Sequence, residues 1–235
     1  MTELEIPERV AVILAHPDDP DFGAAGTLAR WTAAGAHCTL VIVTDGSKGT
    51  SDRTLLPHQL IAIRKEEQRA AARVLGVQEV LFLGRPDGEV VPDLETRRLI
   101  TRVVRELQPD TVITHDPGRL YYDSYVNHPD HRAVGQATLD AIYPTARDHL
   151  NYPEHLADGL EPHKVKTVLL TGAVSPDYFV DISDVFELKL AALAEHKSQI
   201  SDLDGLAERL RNMHKTLGGD RGMELAEAFK KISLS

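Results

Sequence analysis

Two short stretches of this chain hold side chains that could do chemistry together. "AHPDD" puts His16, Asp18 and Asp19 directly after an apolar run, and "NHPDH" puts His128, Asp130 and His131 beside Asn127. Imidazole nitrogens and carboxylate oxygens are both zinc ligands, and three protein ligands with one open position is the pattern of a catalytic zinc. His16 and Asp19 stand three apart, as do His128 and His131. On a helix that spacing puts both side chains on one face, and Pro129 favours a helix start there. The two motifs offer more groups than one zinc needs, so the remainder are available as acid–base groups. A single histidine at a strand end is usually a structural cap. Two adjacent carboxylates could be favoured by a helix dipole, but that accounts for one of them, not for both plus a histidine.

The elements around these motifs predict that they meet. Val10–Ala15, Cys38–Val43, Val80–Leu83 and Thr111–Thr114 are short apolar runs suited to strands buried on both faces. Helical spacing follows over Phe22–Ala34, with Asp21 as its N-cap, and over His58–Leu75, stopped by Gly76. It returns over Leu94–Leu107 and from Pro129 to Ile142. This alternation argues for an α/β fold with a mainly parallel sheet and helices on both faces, a Rossmann-like three-layer sandwich. In such sheets ligands bind at the carboxyl ends of strands where strand order reverses. With the common order 3-2-1-4-5 that point lies between the first and fourth strands, where His16–Asp19 and His115–His131 emerge. A dinucleotide site there would need G-x-G-x-x-G. The chain has only Gly23 and Gly26, after two carboxylates that would repel a pyrophosphate. Later, Val165–Thr171 and Tyr178–Ile182 read as strands, Asp184–Gln199 as an amphipathic helix, and two further helical segments close the chain. No repeat or linker divides it, so one domain over residues 1–235 is expected. Its C-terminal part, from about residue 143, would shape the substrate mouth.

Bulk properties narrow the partners. With 26 basic and 36 acidic residues the net charge is −10, which disfavours a nucleic-acid surface. No apolar run approaches the roughly 20 residues of a membrane helix, and MTELEIPERV lacks the apolar core of a signal peptide. The lone Cys38 permits no intrachain disulfide, so a reducing cytoplasm is the expected compartment.

Taken together, "AHPDDPDFGAAGTLARW", "IRKEEQRAAARVLG" and "NHPDHRAVG" resemble the zinc-dependent N-deacetylases of the PIG-L/LmbE family. These include the GlcNAc-phosphatidylinositol de-N-acetylases and the deacetylases of mycothiol and bacillithiol synthesis. The resemblance runs from the first strand through the helix after His131 and returns weakly in "YFVDISDVFELKLAALAEHKSQ". It implies metal ligands at His16, Asp19 and His131, a general base at Asp18, and an oxyanion-stabilising, protonated histidine at His128 with its carboxylate partner at Asp130. It also implies a substrate-binding arginine at Arg64. Zinc would lower the pKa of bound water to about 7, and a lost oxyanion donor costs roughly 3 kcal/mol in other enzymes. The N/O ligand set also tolerates ferrous iron. The expected substrate is a small N-acyl, chiefly N-acetyl, amino sugar or glycosylated metabolite. An amidase acting on a thiol–sugar conjugate and a non-catalytic metal- or sugar-binding homologue are the alternatives. Some relatives assemble as multimers, so a homo-oligomer is expected by resemblance. One position departs from the family: many relatives carry Glu after the Asp pair, where this chain has Pro20.

Other polar residues carry weaker signals. Asp87 in "RPDG" reads as a turn residue on the active face, His115 as a strand-end residue behind the site, and Tyr121, Tyr122 and Tyr125 as either pocket or surface. His37, His58, His149, His155, His163, His196 and His214 have no constellation around them and receive no role.

Overall fold

Val10–Ala15 is apolar at every position because both of its faces are covered. Val10, Val12 and Leu14 enter one hydrophobic layer with Leu28, Trp31 and Phe186. Ala11, Ile13 and Ala15 enter the other with Ile100, Val104 and Val134. This computed structural model describes residues 5–122 and 125–235. Strands β1 (Arg9–Leu14), β2 (His37–Thr44), β3 (Glu79–Arg85) and β4 (Thr111–His115) alternate with helices α1 (Asp19–Ala33), α2 (Pro57–Val74) and α3 (Leu94–Leu107). A short antiparallel pair, β5 (Tyr121–Tyr122) and β6 (Tyr125–Val126), precedes α4 (Pro129–Asp140) and the small α5 (Pro153–Ala157). Then come β7 (Thr167–Thr171), β8 (Tyr178–Asp181), α6 (Phe186–Leu193), α7 (Leu203–Gly218) and β9 (Ala226–Ser233).

The seven-stranded sheet has the order β3-β2-β1-β4-β7-β9-β8. Its first five strands are parallel, and β9 runs antiparallel between β7 and β8. α1, α2, α6 and α7 cover one face, α3 and α4 the other. The order therefore reverses between β1 and β4, and the carboxyl ends of those strands open on the expected crevice. No helix among the described residues is long and apolar enough to cross a membrane.

The structure departs from the sequence expectation at three places. The helix after β1 starts at Asp19, not Phe22, and Asp18 occupies the N-cap position with no side-chain cap bond. Pro20 is tolerated in this first turn because its missing N–H would have no helical acceptor. Asp21 is thus turned into the interior rather than capping the helix. The helix expected over Asp184–Gln199 ends at Leu193, after which the chain turns and delivers His196 to Asp21. The two closing helical segments are one helix, α7, and one strand, β9. "AEAFKKIS" is rich in good helix formers, but pairing on both sides with β7 and β8 overrides that preference.

Gly135 fixes how closely α4 approaches β4. A Cβ at this position would lie 2.4 Å from the His115 carbonyl oxygen, a contact that no side-chain rotation relieves. Gly135→Ala is expected to destabilise the fold by about 1–3 kcal/mol, read as a lower urea midpoint with an unchanged slope.

His214 on α7 is buried, and its Nδ1–H donates to the Ala226 carbonyl at 2.8 Å. Burial, reinforced by the Lys189 cation, pushes its pKa down to about 4, so the folded protein holds it neutral. The unfolded chain takes up the proton first, near pH 6.5. His214 is therefore silent above that pH, and stability is lost as pH falls from 6.5 toward 4. At pH 5 the loss is on the order of 2 kcal/mol. Urea unfolding of the parent at pH 7 and 5 should show it, and His214→Gln should reduce the difference.

Candidate active site

Four chain segments converge at the β1/β4 crevice. The end of β1 supplies His16, Asp18 and Asp19, the end of β4 supplies His115, the loop after β3 supplies Asp87, and the start of α4 supplies His128, Asp130 and His131. His16 Nδ1 lies 3.2 Å from His131 Nε2 and 3.3 Å from Asp19 Oδ2, and His131 Nε2 lies 3.2 Å from Asp19 Oδ1. Each imidazole is oriented through its other nitrogen. His131 Nδ1 donates to Asn127 Oδ1 at 3.1 Å, and His16 Nε2 donates to Asp130 Oδ2 at 3.2 Å. Both rings thus turn a lone pair toward Asp19, an arrangement that calls for a cation between them. A tetrahedral ion with bonds of 2.0–2.1 Å has ligand–ligand edges of about 3.3 Å. These contacts, which run through both oxygens of Asp19, have the spacing of metal ligands.

The electrostatics agree. Burial opposes a charge on Asp19, yet His131 and His115 hold its carboxyl well below the usual carboxylate range. Burial likewise opposes a charged His16, but bonds to Asp130, Asp19 and Asp87 raise its pKa to about 12. Without a metal, a proton occupies the same electronegative pocket. Metal must displace that proton, so affinity should rise with pH. Asp18 behaves differently: burial first, and then the neighbouring Asp19 charge, push it up to about 7.

A family model described as PIG-L, GlcNAc-PI de-N-acetylase, matches residues 11–142, from β1 to just past α4. The chain belongs to the PIG-L family. Diacetylchitobiose deacetylase of Thermococcus kodakarensis is 36% identical over 195 residues, covering 83% of this chain and 71% of that protein. The structure of N,N'-diacetylchitobiose deacetylase from Pyrococcus horikoshii matches with a TM-score of 0.90 at 33% identity, over 97% of this chain and 84% of that one. The 1D-myo-inositol 2-acetamido-2-deoxy-alpha-D-glucopyranoside deacetylase of Kineococcus radiotolerans is 32% identical over 179 residues, 63% of this chain and 48% of its own length. This PIG-L member is accordingly an amide hydrolase, its family's deacetylases are metal-dependent, and its His/Asp cluster is able to bind a metal.

The remaining residues of this PIG-L site take distinct places. His128 is the N-cap of α4, and its Nδ1 accepts the Asp130 backbone N–H at 3.2 Å. Its proton therefore sits on Nε2. Burial, and then the nearby His16 charge, lower its pKa. The Asp130 carboxylate is 3.9 Å from His128 Nδ1 but 3.2 Å from His16 Nε2. It also accepts the Gly88 and Val90 N–H groups, tying the β3 loop to α4. Arg64 is buried: Nη2 donates to the Pro17 carbonyl at 2.6 Å and to Asp18 Oδ2 at 3.3 Å, and Nη1 donates to Gly46 O.

Four residues to which the sequence pattern assigned no site role also surround these groups. Asp87 is buried, with Oδ1 3.3 Å from His16 Nε2 and Oδ2 accepting the Lys48 N–H. His115 stacks on His131 with centroids 4.1 Å apart, and its Nε2 accepts the Ala15 N–H. Both stand at strand ends on the active face, which was the available signal. Gln68 and His196 gave none. Asp18 has φ 96°, a left-handed conformation costly for a non-glycine residue. Gln68 Oε1 accepts its N–H at 2.8 Å, Gln68 Nε2 donates to Asp21 Oδ2, and His196 Nε2 donates to the same oxygen. Tyr125 borders the site, Tyr121 is exposed, and the Tyr122 side chain lies outside the described residues.

Proposed function

We propose that this protein is a zinc-dependent N-deacetylase of N-acetylated amino sugars, with His16, Asp19 and His131 holding the metal. The observation that carries this reading is the convergence of His16, Asp19 and His131, with an ionisable Asp18 on the same cavity. A metal held by these three residues would polarise the substrate carbonyl and lower the pKa of a water beside it. Asp18 is the general base. Arg64 occupies its Oδ2, and its pKa of about 7 suits a group that takes a proton from water and gives it up again. His128 Nε2–H donates to the carbonyl oxygen as negative charge develops there. Asp18 then returns its proton to the departing amine, and acetate and a free amino sugar result. Asp130 positions His16 and, through its backbone N–H, His128. Arg64 lines the cavity over Asp18 and is assigned to substrate as well as to the base.

The same reading makes the substrate a small cytoplasmic metabolite and the protein a homo-oligomer, which light scattering tests. For the activity, zinc- and iron-loaded protein is offered N-acetylglucosamine, diacetylchitobiose and a GlcNAc-inositol, and free amine is measured. Amine release from at least one supports the reading. One bound metal per chain with no amine from any of them counts against it and favours a non-catalytic homologue.

A further inference from the structure

Two cavities meet at Asp19, Tyr125 and His131. The smaller, about 380 Å³, lies on the β2–β3 side and is bounded by Asp18, Lys48, Arg64, Asp87 and His128. The larger, about 690 Å³, lies on the β7–β9 side, with Phe22, Val174, Pro176, Met213, Leu217 and Ala228 on its wall. Beyond the Asp19, His115 and His131 cluster, Glu227 is paired with Lys189 and Thr27, and four other polar neighbours bond to the main chain. Asp116 accepts the Gly118 and Val174 N–H groups, Asn127 Nδ2 donates to Arg119 O, Thr171 Oγ1 donates to Gly23 O, and Arg119 Nη1 donates to Gly172 O. What the larger cavity offers a ligand is therefore mainly apolar surface.

The proposed chemistry orients an amide across this pair. Asp18 and His128 border the smaller cavity and not the larger. The leaving amine must reach Asp18 to collect its proton, so the amino sugar lies on that side, among charged side chains. The acyl substituent then points the other way. An acetyl methyl is comparable in size to one water, whose share of liquid volume is about 30 Å³, far less than this cavity holds.

We infer that the β7–β9 cavity is an acyl-chain subsite and that the enzyme hydrolyses N-acyl amino sugars with linear chains longer than acetyl. This rests on the deacetylase reading above. Water's oxygen bonds to the acyl carbon, the C–N bond breaks, and water's proton leaves on the amine, giving a fatty carboxylate and a free amino sugar. Each methylene buried in the cavity can raise kcat/KM by up to about fourfold.

The test compares metal-loaded protein on N-acetyl- and N-hexanoylglucosamine, reading amine release. The expected kcat/KM for the hexanoyl substrate is within tenfold of the acetyl value or above it. Ala228→Trp, which fills the cavity from β9, should lower the hexanoyl-to-acetyl ratio at least tenfold, and Leu217→Trp on α7 provides a second route to the same narrowing. Acetyl turnover with hexanoyl turnover more than tenfold slower overturns the subsite and leaves the deacetylase reading intact, as does a ratio unmoved by the substitutions in folded protein. Amine from neither substrate, nor from any other N-acetyl amino sugar, overturns both.

Discussion

Asp18→Asn is expected to lower kcat by about 10²–10⁴ while the protein keeps its full metal content. The substitution preserves shape and removes only the ability to accept a proton. Metal is retained because the proposed ligands are the converging side chains of His16, Asp19 and His131, and none is touched. KM should change little, since the lost interaction is made chiefly as the proton moves. A second consequence separates a base from a structural residue. The folded pKa of Asp18 is raised, to about 7, against about 3.9 in the unfolded chain. The folded state therefore holds the extra proton between these values, and stability falls as pH rises through that window. Above pH 7 the ionised carboxylate opposes folding, so metal-free Asp18→Asn should melt higher than metal-free parent at pH 8. Lower activity, equal metal and higher melting temperature form one joint outcome. Loss of metal together with activity would instead make Asp18 a ligand.

Asp19→Asn is expected to remove activity to background by a different route, through the metal. The variant keeps an oxygen for the His16 backbone N–H, bonded at 2.7 Å in the parent, but loses the negative charge that faces both imidazoles. Its metal affinity should fall by more than the about 10–100-fold typical when a group supporting a ligand is lost. Asp130→Asn supplies the comparison. Asp130 Oδ2 accepts from His16 Nε2 and from Gly88 N, so its removal loosens a ligand without deleting one. Metal affinity of Asp130→Asn should lie between parent and Asp19→Asn, as measured by competition with a chromophoric chelator. Equal affinities for Asp19→Asn and parent would remove Asp19 from the ligand set.

Local chemistry made much of this molecule legible before its structure. The run Val10–Ala15 can be apolar throughout only if both faces are covered, and that places His16 at a strand end between helical layers. The paired motifs could then be brought to one crevice by topology alone. The segments that escaped depend on distant partners. Ala226–Ser233 has helix-forming composition and becomes a strand because β7 and β8 bracket it. Asp87 resembles an ordinary turn residue, and its burial against His16 follows from the grip of Asp130 on the β3 loop. The Gln68–Asp21–His196 chain joins three helices or their ends through side chains alone, and no spacing in the sequence encodes it. Arg64 enters only through the resemblance, and no spacing encodes its bond to Asp18.

The most direct measurement strips the protein with a chelator and returns zinc in sub-stoichiometric steps while acetate release from an N-acetyl amino sugar is followed. Hydrolysis should be absent in the stripped protein, rise linearly with added metal and break at one ion per chain. Hydrolysis by stripped protein at the loaded rate would contradict the metal-dependent mechanism.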